Sequence, residues 1–112
     1  MDHVNFNFDR ANLGNKAKEN LRAVYGYLEK HPKLKVDISG HTDDQGSKEY
    51  NHVLSHRRAK AVVKYLVELG LDKNRITSKG YGNQKPLDST QTEKARQKNR
   101  RVEFVMTQFE DN

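Results

Sequence analysis

Residues 36–47 read VDISGHTDDQGS, and the change from strand to loop to helix within them decides the fold. Val36 and Ile38 alternate with polar residues, which is the period of two expected of a strand with one buried face. Gly40 ends that strand, and Ser47 belongs to the residue types that cap a helix N-terminus. The polar stretch between them is therefore predicted to be a loop at the end of a strand, where functional residues are often found.

Two elements are predicted before this segment. Alternating apolar and polar residues predict a first strand over about residues 4–8. A helix follows, with Asn12 or Asn15 as its N-terminal cap and Pro32 closing it. Its apolar stripe recurs at steps of three and four residues and consists of Leu13, Ala17, Leu21, Val24 and Leu28.

Further elements are predicted after the segment. A second helix, capped by Ser47 and stopped by Gly70, has an apolar stripe made of Tyr50, Leu54, Ala61, Val62, Tyr65, Leu66 and Leu69. A short strand over residues 75–79, a polar stretch over 83–96 with room for one helical turn, and a last strand over about 100–107 complete the chain. The order β-α-β-α-β-β predicts a two-layer α/β sandwich in which both helices pack on one face of a four-stranded mixed sheet.

Length and composition predict a single domain spanning residues 1–112, with 33% hydrophobic and 32% charged side chains. The absence of cysteine excludes thiolate catalysis and cysteine-ligated zinc. No stretch resembles a membrane span or a signal peptide, so the targeting segment of an exported protein is expected outside this sequence. The net charge of +6 favours an anionic partner, although a basic surface also keeps small proteins soluble.

Arg58 is the most informative single position, because it lies on the apolar stripe of the second helix. A guanidinium directed inward needs an acceptor, since a buried unpaired charge is costly. Two interpretations stay open: the guanidinium binds a ligand carboxylate, or it pairs inside the fold with one of the carboxylates of Asp9, Asp37, Asp43 and Glu103. The loop carboxylates of Asp43 and Asp44 likewise either bind a cationic group or serve as turn and exposed loop residues.

The other candidate motifs do not support catalysis or metal binding. His52 and His56 share a helix face at the spacing of some zinc sites, but no glutamate follows His52, and a surface pair is the expected interpretation. Nucleophile-elbow, dinucleotide-loop and calcium-loop patterns are missing. The sequence therefore predicts a protein that is not an enzyme, with no metal and no cofactor.

An ordered series of motifs runs through nearly the whole chain. Its members are Phe6-Asn7-Phe8-Asp9, Gly40-His41-Thr42-Asp43, Gly46-Ser47, Tyr50-Asn51, Leu54-Ser55, Arg58-Ala59, Val62, Tyr65-Leu66, Gly80-Tyr81-Gly82, Pro86 and Asn99-Arg100-Arg101-Val102-Glu103-Phe104. This series closely resembles the OmpA-like peptidoglycan-binding domain, the family of the OmpA C-terminal domain, Pal and MotB. The family fold agrees with the predicted element order.

The resemblance implies a non-catalytic periplasmic module that anchors an outer-membrane or envelope protein to the cell wall through the meso-diaminopimelate of the stem peptide. Asp43 matches the aspartate that receives the ligand ammonium, and Arg58 matches the arginine that clamps its carboxylate. Further implied ligand-binding positions are the backbone at Phe8 and Asp9, the wall residues Thr42, Asn51 and Leu54, and Arg101 near the cleft. Asn99 and Arg100 are expected to hold the last strand in place.

The family also implies a monomeric domain, not itself inserted in a membrane and with no nucleic-acid partner, that forms the C-terminal part of a larger outer-membrane-associated protein. Asp44, Arg10 and Ala11 depart from the family pattern, and the extra charge of Asp44 is expected to affect Asp43 or to favour an ammonium further. The alternative is a basic module that has kept the fold without the pocket and binds protein or nucleic acid.

Overall fold

The computed structural model describes residues 11–109 together with the backbone of residues 3–5. Within these residues the elements are β1 (His3–Asn5), α1 (Asn15–Lys30), β2 (Leu34–Gly40), α2 (Lys48–Leu69), a 3-10 turn (Lys73–Arg75), β3 (Ile76–Gly80), α3 (Glu93–Asn99) and β4 (Arg101–Gln108). The predicted first strand over residues 4–8 is described only as far as Asn5, and its remainder lies outside the described residues.

The strands of the described sheet follow the order β1-β4-β2-β3, in which β1 is a short edge strand. β2 and β3 are parallel, with Ile38 opposite Ser78, and β4 runs antiparallel to both of its neighbours. A parallel pair needs a long crossover connection, and α2 supplies it. The predicted two-layer α/β sandwich with a mixed sheet is confirmed.

Both long helices pack on the same face of the sheet. Their buried stripes meet alternate residues of β2 and β4 in one cluster made of Leu21, Val24, Leu28, Val36, Ile38, Ala59, Val62, Leu66, Leu71, Val102 and Phe104. Asp37 and Ser39 of β2 alternate with these core residues and are only half-buried. None of the described helices combines the length and the apolar character needed to cross a bilayer.

The helix ends agree with the sequence for α2 and differ for α1. The hydroxyl of Ser47 accepts a hydrogen bond from the N–H of Tyr50 at 3.1 Å, and Gly70 ends α2 with a φ of 120°. The predicted asparagine cap of α1 is wrong, because the N–H of Lys18 already donates to the carbonyl of Gly14 at 3.0 Å. Asn15 is therefore the first helical residue and Gly14 the cap.

The polar stretch before β4 is more helical than predicted. Instead of one turn within residues 83–96, it contains α3, which continues to Asn99 and is capped by the hydroxyl of Thr92. β3 and β4 are each displaced by one residue from the predicted bounds.

Two glycines let α2 pass directly over the ends of β2 and β3. A Cβ on Gly40 would lie 2.0 Å from the carbonyl oxygen of Ser55, and one on Gly80 would lie 2.6 Å from the backbone nitrogen of His56. Only glycine permits backbones to approach so closely. This contact brings the first half of α2, including Arg58, to the sheet end from which the 41–46 loop emerges.

Candidate functional site

Asp43 lies just beyond β2 in a loop that the backbone fixes on two sides. The N–H of His41 donates to the carbonyl of Arg101 at 2.8 Å, and the N–H of Thr42 donates to the carbonyl of Gly82 at 2.9 Å. One carboxylate oxygen of Asp43, Oδ1, accepts a hydrogen bond from the N–H of Gln45 at 2.9 Å. The carboxylate is thus buried and held in a set direction.

The second oxygen of Asp43 is paired with Arg100. Arg100 Nη1 donates to Asp43 Oδ2 at 2.9 Å, and Arg100 Nη2 donates to Glu93 Oε2 at 2.8 Å. The Arg100 hydrogen bond holds the pKa of the Glu93 carboxyl below its usual range. We expected Arg100 to hold the last strand in place, and the structure adds pairings with two carboxylates that this expectation does not include. Its partner Asp43 lies far away in the sequence, so neither periodicity nor motif spacing indicates the pair.

Arg58 points inward, as its place on the apolar stripe predicts, and its side chain is fully buried. Its Nη1 donates to the carbonyl oxygen of His41 at 3.0 Å, which is one of its contacts inside the fold. Of the carboxylates considered as its partners, Glu103 accepts a hydrogen bond from Arg101 and Asp37 accepts one from the hydroxyl of Thr77. The role of Arg58 in binding a ligand stays a prediction.

The structure brings two of the predicted wall residues, Thr42 and Asn51, into contact with Asp43. The hydroxyl of Thr42 donates to the Asp43 carbonyl at 3.1 Å, and the Asn51 amide donates to the same carbonyl at 3.5 Å. Leu54 is buried one turn further along α2. The predicted positions Phe8 and Asp9 lie outside the described residues.

Arg101 and Asn99 both secure the loop between β3 and α3. Arg101 Nη2 donates to the carbonyl of Lys85 at 2.9 Å, and its Nε donates to Glu103 at 2.7 Å. The Asn99 amide oxygen accepts from the N–H of Leu87 at 2.8 Å, so Asn99 holds this loop rather than the last strand that we expected it to hold. A ligand contact of Arg101 stays a prediction.

Asp44 is exposed, and its charge is balanced. Its Oδ1 accepts a hydrogen bond from Arg96 Nε at 2.8 Å, and this bond lowers the pKa of the Asp44 carboxyl. The expected influence of Asp44 on Asp43 is thereby reduced, because Arg96 compensates the added negative charge. A cleft of about 150 Å³ opens beside the two aspartates, lined also by Thr42, Asn83, Thr90 and Asn99.

His41 is buried, although the sequence places it in a polar loop. Its ring stacks on Tyr81 at 5.5 Å between centroids, and neither ring nitrogen has a hydrogen-bond partner among the described residues. Burial, reinforced by the nearby Arg101 guanidinium, lowers the pKa of His41 to about 4. His41 is therefore neutral at physiological pH, directly beside the Thr42–Asp43 loop.

The histidine pair on α2 is exposed, as the sequence predicts. Across the part of the chain that the structure describes, no three histidine, aspartate or glutamate side chains come together in a group that could hold a metal ion. The arrangement at the end of β2 suits recognition of a charged polar ligand: it offers an oriented carboxylate, amide and hydroxyl groups, and buried guanidinium groups.

Comparisons with known proteins show the family to which the chain is similar. The OmpA family model matches residues 5–100. The chain is 38% identical to the Peptidoglycan-associated lipoprotein of Legionella pneumophila, over 89% of this chain and 57% of that protein. It is 37% identical to Outer membrane porin F of Pseudomonas fluorescens, over 89% of this chain and 31% of that protein. The crystal structure of the peptidoglycan-associated lipoprotein from Burkholderia pseudomallei is similar, with a TM-score of 0.92 and 31% identity, over 96% of this chain and 91% of that one.

Proposed function

Because this chain belongs to the OmpA family, we propose that it binds peptidoglycan through the diaminopimelate of the stem peptide. Family membership confirms the predicted resemblance and is consistent with peptidoglycan binding. Family membership also indicates a non-enzymatic role. It places the domain in the cell envelope, in the periplasm and associated with the outer membrane. The recognition of diaminopimelate is the finer step that the site geometry supports.

The observation that carries this proposal is the oriented, buried carboxylate of Asp43 at the end of β2. The free end of diaminopimelate carries an ammonium and a carboxylate on one carbon, so its recognition needs an acceptor and a donor held a fixed distance apart. Asp43 is the acceptor, and the guanidinium of Arg58, which donates to the neighbouring His41 carbonyl, is the donor. Each charge-assisted hydrogen bond contributes about 1.5–3 kcal/mol.

The surrounding residues fit supporting roles. Thr42 and Asn51 contact the backbone of Asp43 and form the wall of the site with Leu54. We also assign backbone contacts with the ligand to Phe8 and Asp9, and a ligand contact to Arg101, whose Nη2 secures the neighbouring loop by donating to the carbonyl of Lys85.

The domain acts as an anchor within a larger protein. The chain spans little more than half of the peptidoglycan-associated lipoprotein of Legionella pneumophila and less than a third of the porin of Pseudomonas fluorescens. We infer that this domain is the C-terminal part of an envelope protein, which it tethers to the cell wall as a monomeric, non-inserted module.

The test is a calorimetric titration with a muropeptide that contains diaminopimelate. Asp43→Asn removes the acceptor charge at nearly constant shape, and we expect it to weaken binding at least about tenfold, which corresponds to the loss of one charge-assisted hydrogen bond. Asp44→Asn is the matched control, because its carboxylate is exposed and paired with Arg96. It should change the affinity less than about threefold.

A second ligand tests the donor without altering the buried Arg58. A muropeptide with lysine in place of diaminopimelate keeps the ammonium but lacks the carboxylate, and we expect it to bind at least about tenfold more weakly. Equal affinity for the two muropeptides would contradict a carboxylate clamp. Tight binding of oligonucleotide in place of muropeptide would support the alternative of a basic interaction module.

A further inference from the structure

Asp43, Arg100 and Glu93 form a chain of alternating charges at the candidate site. The Arg100 guanidinium bridges the two carboxylates, at 2.9 Å from Asp43 Oδ2 and 2.8 Å from Glu93 Oε2. Glu93 is the first residue of α3 and Arg100 follows its last. Seven positions are about two helical turns, so both side chains lie on the helix face directed at the Asp43 loop.

A neighbouring ion pair also joins α3 to the Asp43 loop, and it is far more exposed to solvent. Arg96 lies one turn before Arg100 and pairs with Asp44 at 2.8 Å, but their side chains are 22% and 40% exposed. The Arg100 and Asp43 side chains are only 7% and 5% exposed. A buried ion pair is a poor source of stability, because desolvation offsets its attraction. Its burial therefore suggests a purpose other than stability.

We propose that Arg100 is a positioning residue for the ligand ammonium, acting through Asp43; this rests on the proposed function. With Oδ1 held by the Gln45 N–H and Oδ2 by Arg100, the carboxylate cannot rotate. A carboxylate has about four lone-pair sites, so the sites that remain point in fixed directions and accept the ammonium. Arg100 also balances the buried charge of Asp43 while the site is empty.

Glu93 sets the net charge of the group that it forms with Arg100 and Asp43. An Asp43–Arg100 pair alone is neutral and has little net attraction for a cation. The second carboxylate on Arg100 gives the group of three a net negative charge, which offsets the repulsion between the guanidinium and the ligand ammonium. Because the Glu93 side chain is 62% exposed, its contribution should be small and sensitive to salt.

The experiment compares two muropeptides that differ only in the ammonium under test. One contains diaminopimelate, and the other contains 2-aminopimelate, which lacks the amino group at the free end. Arg100→Gln should weaken binding of the first about tenfold, and of the second less than about threefold, because only the first uses Asp43. Arg100→Lys should give an intermediate loss, since one ammonium cannot bridge both carboxylates as a guanidinium does. Arg96→Gln is the matched control on the same helix: it uncovers the charge of Asp44 beside the cleft and should therefore not weaken binding of the diaminopimelate muropeptide.

Two results with Arg100→Gln would overturn the inference. An equal loss for both ligands would mean that Arg100 only supports the structure, and a raised affinity for the diaminopimelate ligand would mean that Arg100 competes with the ammonium. If Arg100→Gln does not fold, as judged by circular dichroism, Glu93→Gln carries the test. The affinity of Glu93→Gln for the diaminopimelate muropeptide should be about two- to threefold lower than that of the wild type. The affinity for the 2-aminopimelate muropeptide should not change, and the difference should shrink at high salt. No loss in Glu93→Gln would also overturn the inference.

The two proposals fail in different ways. Wild-type protein that does not bind the diaminopimelate muropeptide contradicts the proposed function. If the wild-type protein binds it in an Asp43-dependent manner and Arg100→Gln binds it with the same affinity, only the role of Arg100 is contradicted.

Discussion

At the end of the sheet where β2 begins, the space between helices and strands is filled by apolar side chains such as Leu28, Val36 and Leu66. At the other end, where β2 and β3 finish, buried polar side chains take their place. All the buried polar and charged residues among those described lie there: His41, Thr42, Asp43, Asn51, Ser55, Arg58, Asn99, Arg100 and Arg101. The apolar end stabilises the fold, and that stability lets the polar end keep groups whose burial is unfavourable.

The two ends also use arginine differently. Near the start of β2, Arg75 donates to the carbonyls of Leu28 and Leu34, which joins the end of α1 to the strand without any carboxylate. At the polar end, Arg100 contacts two carboxylates. The first arrangement satisfies backbone groups, whereas the second pairs charged side chains beside the candidate site.

The largest expected effect comes from weakening the apolar end alone. Leu66→Ala removes a fully buried side chain from the core cluster and should lower the free energy of unfolding by about 2–5 kcal/mol. Muropeptide affinity, measured by calorimetry at a temperature where the variant is still folded, should stay within about twofold. A large loss of affinity in the folded variant would contradict the separation of the two ends.

Acid should lower the free energy of unfolding, because it protonates the buried ring of His41 at the polar end. Its pKa is lowered to about 4 in the folded protein, so the unfolded chain binds the extra proton first. The neutral His41 ring contributes fully to the free energy of unfolding above about pH 6.5. This contribution, up to about 3 kcal/mol, is lost as the pH falls towards 4. Urea unfolding between pH 7 and 4.5 measures this loss.

His41→Leu provides the control for the acid experiment, because it removes the titrating ring while the backbone carbonyl that receives Arg58 remains. We expect a flatter dependence of stability on pH between 6.5 and 5. The carboxyls of Asp44 and Glu93 also have lowered pKa values, but they contribute to the free energy of unfolding down to a lower pH than His41 does. An unchanged slope in His41→Leu would exclude the ring as the cause.

The smallest effect tests the glycine contact that joins α2 to the sheet. A Cβ at Gly80 would lie 2.6 Å from both the His56 nitrogen and Ser55 Oγ, and that hydroxyl accepts a hydrogen bond from the Gly82 N–H. Gly80→Ala should therefore cost about 1–3 kcal/mol of stability and also weaken muropeptide binding, since Gly82 holds Thr42.

Gly26→Ala is the matched control for this substitution. It lies in α1, and nothing surrounds its added Cβ within 4 Å. We expect it to stabilise the protein by up to about 1 kcal/mol, because alanine favours a helix over glycine, with no change in binding. A loss of affinity in this control would contradict the assignment of the effect to the contact between α2 and the sheet.

The sequence predicted what local patterns determine. Alternation and helical spacing predicted β2 and α2, and residue type alone predicted the Ser47 cap and the Gly70 stop. The inward direction of Arg58 also followed from its place on the stripe. These features depend on neighbours within a few residues, where periodicity carries the information.

The sequence could not predict what depends on how distant elements meet. The 40–46 segment is polar and bounded by glycines, yet His41, Thr42 and Asp43 are buried because β4 and the loop after β3 cover them. The pair between Arg100 and Asp43 needs α3 to be docked on that loop, and α3 itself was predicted as no more than one turn. Burial and charge pairing of this kind are tertiary properties.

β4 lies between β1 and β2, although it is the last strand in chain order. The carbonyl that receives the His41 N–H and the guanidinium that meets Asp43 both come from residues at the start of this strand. The native contacts of the loop that carries Asp43 therefore depend on the last strand of the chain being in place. A chain that lacks this strand should therefore lack the contacts that hold the Asp43 loop in place.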